Sequence, residues 1–366
     1  MVMRDKIVIS GINLFEGGPL SIYYDCLNEF IRKDIHLKKE IIAFVHRIDL
    51  FEEYKDYVTL IEFPKSRGSY LKRLWYEYVY FYYFSKKNKV DMWISLHDIT
   101  PNVKANKIYT YCHNPSPFLK KSIKNFRYSI TNSLFSLFYK YLYRINIKAA
   151  TAIIVQQDWM RNRFLEMYPI KNVIVAYPEF EVEQDFNFID RHNKEKPVWI
   201  YPAFPRFFKN YEVIGEAVKN IEDLDFEVLF TIDGTENSYS RMVFEKYRHL
   251  SQIKWLGKKS RKEIFQLYEE ASGLIFPSKL ETWGLPISEF KRTKKDIILS
   301  DLPYAHETLG TYSKALFFNP DNGTELSTIL RSIIDGNPEY SNVVAKEILQ
   351  PFSKGWSELV DLLLSD

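Results

Sequence analysis

Short runs of β-branched and aromatic residues alternate along this chain with longer stretches that repeat apolar positions every three to four residues. The short runs predict strands at Lys6–Gly11, Ile41–His46, Val58–Phe63, Asp91–Leu96, Ile108–Cys112, Ala152–Gln156 and Val173–Ala176. A second series follows at Val198–Tyr201, Glu227–Ile232, Ile253–Leu256, Gly273–Phe276, Asp296–Ser300 and Ala315–Phe318. Several are apolar on both faces, as strands covered by helices on each side must be. Strand and helix in alternation predict α/β units with doubly wound parallel sheets. The pattern lapses once, over the acidic and polar run 178–196. That places an N-terminal Rossmann-like domain at 1–177, a linker at 178–196, a C-terminal Rossmann-like domain at 197–345, and a last helix over 346–366 that could cross back to the first domain. Ligand is expected in a central cleft faced by both domains.

Composition narrows the class. The chain has 366 residues, 46% hydrophobic and 27% charged, which suits a soluble globular protein and excludes wholesale disorder. Its two cysteines, Cys26 and Cys112, build no disulfide framework and no zinc site. No apolar run reaches the ~18 residues of a membrane span, and the N-terminus runs straight into a strand without a signal peptide. Charge is uneven: residues 1–178 hold 27 Lys and Arg against 16 Asp and Glu, whereas 179–366 hold 23 against 31. Between Ile99 and Gln157 lie nine basic residues and no acid. Such a split points to an anionic partner for the first half, with nucleic acid, anionic lipid and phosphorylated substrate all open.

The most informative motif is I-F-P-S-K-L-E-T-W-G-L-P-I-S-E-F, Ile275 to Phe290. It leaves a strand through a Pro-Ser turn and sets Glu281 and Glu289 eight residues apart. Gly284 and Pro286 stand between them, at the start of the next helix. Free N–H groups at such a start attract an anion or a sugar hydroxyl. Glu281 can accept from sugar hydroxyls, and Glu289 can take a vicinal diol such as a ribose. An isolated E-x7-E would read as a capping pair on a solvated helix; the surrounding turn and glycine favour the ligand reading.

Other candidates sit at strand ends. Tyr201–Asn210, Y-P-A-F-P-R-F-F-K-N, brings Arg206 and Lys209 to the carboxyl end of a strand, where they can hold a diphosphate and neutralise a leaving group. Only two residues separate them. Phe15–Leu20, F-E-G-G-P-L, offers Gly17 and Gly18 for close backbone approach to a phosphate. Tyr111–Phe118 puts His113 at a strand exit, and His97 and Asp98 end another strand as acceptor-side candidates. The lone D-x-D, Asp223–Asp225, has no neighbouring histidine, so no metal is expected. P-loop, G-x-S-x-G and H-E-x-x-H motifs do not occur.

Together these runs resemble the retaining glycosyltransferases of family 4, which have the GT-B fold. The likeness is clearest over 198–322, where W-L-G (255–257), L-Y-E-E-A (267–271), S-D-L-P-Y-A-H-E (300–307) and F-F-N-P-D (317–321) fall in order around the E-x7-E run. By that resemblance Glu281 meets the donor sugar, Glu289 the ribose, and the backbone of Trp283, Gly284, Leu285 and Pro286 the sugar and diphosphate. The resemblance further implies Arg206 and Lys209 at the diphosphate, Gly17 and Gly18 at donor phosphates, His113 beside the transferred sugar, and backbone near Gly257 and Lys258 at the base.

The expected activity is therefore transfer of a hexose from a UDP- or GDP-sugar to a glycan acceptor with retention, without metal or other cofactor, in capsule or O-antigen synthesis. A nucleotide-sugar 2-epimerase, a non-catalytic subunit, and a nucleic-acid- or glycan-binding module are the alternatives. Lys140, Arg144 and Lys148 recur every four residues beside Leu137, Phe138 and Tyr141, and Ser69–Lys87 is an aromatic run bracketed by cations. These predict a protein bound peripherally to the inner face of the cytoplasmic membrane, taking a diphosphate-lipid-linked acceptor, with no nucleic-acid partner. Buried helix faces would explain the aromatic run equally well.

Overall fold

The computed structural model describes residues 5–118, 138–179 and 196–365. They form two compact units. The first contains β1 (Lys6–Ser10), β2 (Glu40–Val45), β3 (Thr59–Glu62), β4 (Val90–Ser95), β5 (Lys107–Cys112), β6 (Ala152–Val155) and β7 (Val173–Tyr177). The second contains β8 (Val198–Tyr201), β9 (Glu227–Phe230), β10 (Ile253–Trp255), β11 (Gly273–Phe276), β12 (Asp296–Ser300) and β13 (Ala315–Phe318). A strand absent from the sequence prediction, β14 (Phe352–Lys354), returns to the first unit and pairs with β7. The helix Gly355–Leu364 then lies against the helix Gly17–Arg32, where Lys33 Nζ reaches Asp361 Oδ1 at 2.7 Å. Most of the expected linker, 180–195, lies outside the described residues, as do Lys120, Lys121, Lys124, Arg127 and Leu137.

Both sheets are parallel throughout, in the orders β14-β7-β6-β5-β4-β1-β2-β3 and β10-β9-β8-β11-β12-β13. Strand order reverses between β1 and β4 in one and between β8 and β11 in the other. The crevice at the carboxyl ends of such a strand pair is where open α/β sheets take ligands.

Alternation along the strands builds two apolar layers on the first sheet. Ile7, Ile9, Ala43 and Ile94 meet Tyr23, Leu27, Phe30 and Trp356 on one face. Val8, Phe44 and Trp93 meet Phe63 and Phe81 on the other. Here the aromatic excess finds its use: the Phe44 ring touches Phe63, Phe81, Phe84 and Trp93 at 4.8–5.5 Å between centroids. The aromatic run 69–87 divides by helix face. Phe81 is buried, while Leu71, Trp75, Val79 and Tyr83, four residues apart each time, are exposed.

The same helix turns Arg73 and Glu77 inward. Arg73 Nε donates to Glu77 Oε1 at 2.8 Å, and its Nη2 donates to the His97 carbonyl at 3.0 Å. Arg73, one of the cations that bracket the aromatic run, is buried. In the second unit, packing is close enough to demand glycine: a Cβ on Gly273 would stand 2.0 Å from the Trp199 ring.

Candidate functional site

In the second unit, the turns leaving β8 and β11 flank the switch point and are fastened to one another. Asn210 adopts φ 58° and donates its side-chain amide to the carbonyls of Pro277 (3.2 Å) and Pro320 (2.7 Å). Lys279 N donates to Phe208 O at 2.7 Å, and Tyr304 Oη donates to Ser278 O at 2.6 Å. This lacing sets Lys209 Nζ directly against Glu281 Oε1. The two side chains are mostly buried, at 17% and 13% exposure. Arg206 stands exposed beside them in sequence, its guanidinium 5.9 Å over the Phe204 ring. One carboxylate and one ammonium, with a free-standing guanidinium nearby, make a site that can exchange an internal ion pair for an anion with hydroxyl groups.

Beyond the turn, Gly284 caps the helix Leu285–Phe290 at φ 88°, a left-handed value at which any side chain is strained. Pro286 occupies its first turn. Trp283 is buried, donates Nε1 to Ser288 Oγ at 2.9 Å and accepts from Thr308 Oγ1 at its carbonyl, so its ring braces the helix. Glu289, 14% exposed, accepts from Tyr268 Oη at 3.1 Å and lies 3.7 Å from Arg261. Burial raises the Glu289 carboxyl above its ordinary value, while Arg261 and the tyrosine oppose that rise. It is no solvated capping residue.

Arg261 begins the helix Arg261–Glu270, which Lys259 and the N-cap Ser260 separate from Gly257 and Lys258. Gly257 has φ 67°, and a Cβ there would lie 2.8 Å from Asp233 Oδ2. Lys258 is exposed. The expected base-side loop and the expected ribose carboxylate are thus joined by one helix. Sequence reasoning missed both Arg261 and Tyr268, although Tyr268 sits inside the quoted L-Y-E-E-A run.

In the first unit, Gly17 opens the helix Gly17–Arg32 at φ 66°, and a Cβ on Gly18 would meet no atom within 4 Å. That leaves an uncovered helix start just after β1. At the switch point, Asp98 takes φ 75° and uses Oδ1 to accept from the backbone N–H groups of His113 (2.8 Å) and Asn114 (3.0 Å). Its Oδ2 lies 3.6 Å from His113 Nε2. Asp98 therefore positions His113, whose Nδ1 is buried with no hydrogen-bond partner among the described residues.

His97 requires a correction. It has no solvent exposure, its Nε2 is 3.0 Å from Ser10 Oγ, and its Nδ1 is 3.2 Å from Glu77 Oε1. The order Ser10–His97–Glu77 resembles a hydrolytic triad, but Ser10 is sealed and Arg73 occupies the carboxylate. Burial, aided by Arg73, pushes His97 well below its ordinary value and keeps it neutral. It supports the turn from within instead of touching an acceptor.

Among the described residues no cluster of three or more His, Cys, Asp or Glu side chains could hold a metal ion. Asp223 and Asp225 are bound to Arg331 (3.0 Å) and Lys196 (2.6 Å). No helix among the described residues is long and apolar enough to cross a membrane.

Residues 182–348 match the family described as Glycosyl transferases group 1. Over 299 residues, 77% of each chain, the protein is 21% identical to the O-antigen chain mannosyltransferase RfbU of Salmonella typhimurium strain LT2. A glycosyltransferase from Rickettsia africae superposes with TM-score 0.64 at 17% identity, covering 91% of this chain and 88% of that one. Anabaena Alr3699/HepE in complex with UDP-glucose superposes with TM-score 0.58 at 13% identity, covering 90% of each. The fold is accordingly that of GT-B glycosyltransferases, two parallel-sheet α/β domains.

Proposed function

We propose that this protein is a retaining, metal-independent glycosyltransferase that moves a hexose from a UDP- or GDP-sugar to a diphosphate-lipid-linked glycan, in O-antigen or capsule assembly at the cytoplasmic face of the membrane. The observation that carries this reading is the Lys209–Glu281 pair at the β8–β11 switch point, with Arg206 beside it and Glu289 on the following helix. The group 1 domain match and the O-antigen mannosyltransferase likeness support the reaction class. The complex of Alr3699/HepE with UDP-glucose supports a nucleotide sugar as donor.

In this reading the donor diphosphate draws Lys209 from Glu281, and the freed carboxylate accepts from the sugar hydroxyls. The bond from the anomeric carbon to the diphosphate breaks with its electron pair on the phosphate. The acceptor oxygen attacks the same face and passes its proton to that phosphate. Arg206 and Lys209 offset the charge that grows on the departing group.

A thermal-shift panel of UDP-, GDP-, ADP- and dTDP-sugars tests the donor, because a ligand that binds only the folded state raises the melting point. One nucleotide class should stand out, unaffected by EDTA. With that nucleoside diphosphate, Glu289→Ala should weaken binding by about 1–3 kcal/mol, the range for a lost charge-assisted pair, while Glu281→Ala mainly slows turnover. Because ionised Glu289 is the acceptor and burial raises its pKa, affinity should fall as pH drops through that raised value. Equal, small effects of both substitutions on nucleotide affinity would remove the assignment, and a strict manganese requirement would remove the metal-free mechanism.

A further inference from the structure

We propose that the first unit carries a docking face for anionic lipid, built from two neighbouring helical segments and a cationic cavity between helix end and loop. It deepens the proposed reaction by naming where a lipid-borne acceptor is met, and it rests on that reading only for this purpose.

The first element is the stripe Leu71, Trp75, Val79 and Tyr83, exposed at 77%, 51%, 39% and 66%. Four large apolar groups on one helix line are a contiguous patch, not scattered surface residues. Lys72 and Lys86 are exposed at its two ends. The second element is the helical segment 138–144 and the turn after it. Phe138, Tyr141 and Ile145 are exposed there at 46%, 60% and 46%, and Lys140, Arg144 and Lys148 form the adjoining exposed line. The two elements are packed together. Arg73 Nη1 donates to Tyr139 Oη at 3.3 Å, and Leu74 and Tyr78 lie against the core that holds Tyr139, Leu142 and Tyr143.

The third element is a cavity of about 570 Å³ lined by Arg144, Asn146, Ile147, Lys148, Ala149 and Pro169. Its polar donors are two cations and an amide, a set suited to a phosphate diester. The 99–157 stretch, which supplies every lining residue but Pro169, contains no acidic residue. Apolar side chains beside a cationic line, with amphipathic tyrosine and tryptophan between, match the boundary between headgroups and acyl chains. The occupant is therefore a membrane surface, with a lipid phosphate in the cavity, and each cation close to it adds attraction that salt screens.

The proposal is tested by co-sedimentation of the full chain with phosphatidylcholine vesicles, with and without phosphatidylglycerol, at low and high salt. Wild-type protein should bind only the anionic vesicles and come off as salt rises. Lys140→Glu/Arg144→Glu/Lys148→Glu should abolish binding at low salt. Leu71→Ser/Trp75→Ser should lower the bound fraction several-fold at low salt. Melting curves and nucleoside diphosphate binding in the second unit should be unchanged in both variants, which separates this face from the donor site. If wild type ignores phosphatidylglycerol vesicles at low salt, or the triple variant still binds them, the proposal fails. A self-association lost in Leu71→Ser/Trp75→Ser without vesicle binding would assign the stripe to a second copy and equally overturn it.

Discussion

Arg73→Leu is expected to cost about 3–5 kcal/mol of stability, because it strands the Glu77 carboxylate at zero exposure beside an unpartnered Oε2. Urea unfolding midpoints would report the loss. Arg73→Leu/Glu77→Leu should recover most of it, since an apolar pair of similar volume carries no buried charge. If the double variant is as unstable as the two single losses added together, the pair acts through something other than charge burial. The pH dependence has a defined sign. Burial raises Glu77 to about 7 from an ordinary 4.5, with Arg73 opposing the rise. The folded state thus keeps a proton that the unfolded state releases, so this group's contribution is full below pH 4.5 and declines as pH climbs to 7. Without Arg73 the carboxyl rises further and the window widens upward. The penalty of Arg73→Leu should therefore grow as pH rises through and above 7 and shrink toward pH 4.5.

That pair also marks where the sequence ceased to be readable. Strands such as Glu40–Val45 announce themselves because every residue after the first is apolar and both faces are covered. Phe352–Lys354 does not, since a three-residue strand with one apolar side chain owes its existence to β7 alongside it. A buried arginine is illegible for a similar reason. Lys72 and Arg73 are adjacent in sequence, yet a helix turns them about 100° apart, and only the carboxylate four residues on, at Glu77, draws one of them inside. The sheet-end residues of the second unit were legible because a Pro-Ser turn, a left-handed glycine and an N-terminal proline are local requirements of the backbone. The partners that hold them come from afar. Tyr268 is 21 residues from Glu289, and Lys209 is 72 from Glu281. Tertiary contacts of that span leave no periodic trace. Asp98 is an intermediate case: its place at a strand end was visible, but its bonds to the His113 and Asn114 amides need the neighbouring strand's register.

Arg206→Ala should lower the rate of sugar transfer by about 10²–10³-fold, the range for deleting one preorganised group that meets charge developing in a transition state. Donor affinity should move far less, because in the proposed reaction the guanidinium's partner is the departing diphosphate, whose charge grows only as the bond breaks. The placement of Arg206 suits such a role, since it is exposed on the turn after β8, stacked toward Phe204, and free of the lacing that fixes its neighbours. Lys209 is held differently, paired with Glu281 before any ligand arrives. Lys209→Ala removes a cation but also leaves Glu281 partly buried without its partner, so donor affinity and turnover should both fall, with a lower melting point in the free protein. Single-turnover rates beside nucleotide-sugar titrations distinguish the two cases. Should Arg206→Ala weaken donor binding as strongly as it slows transfer, its contact is made in the ground state, and the charge-stabilising role passes to Lys209 alone.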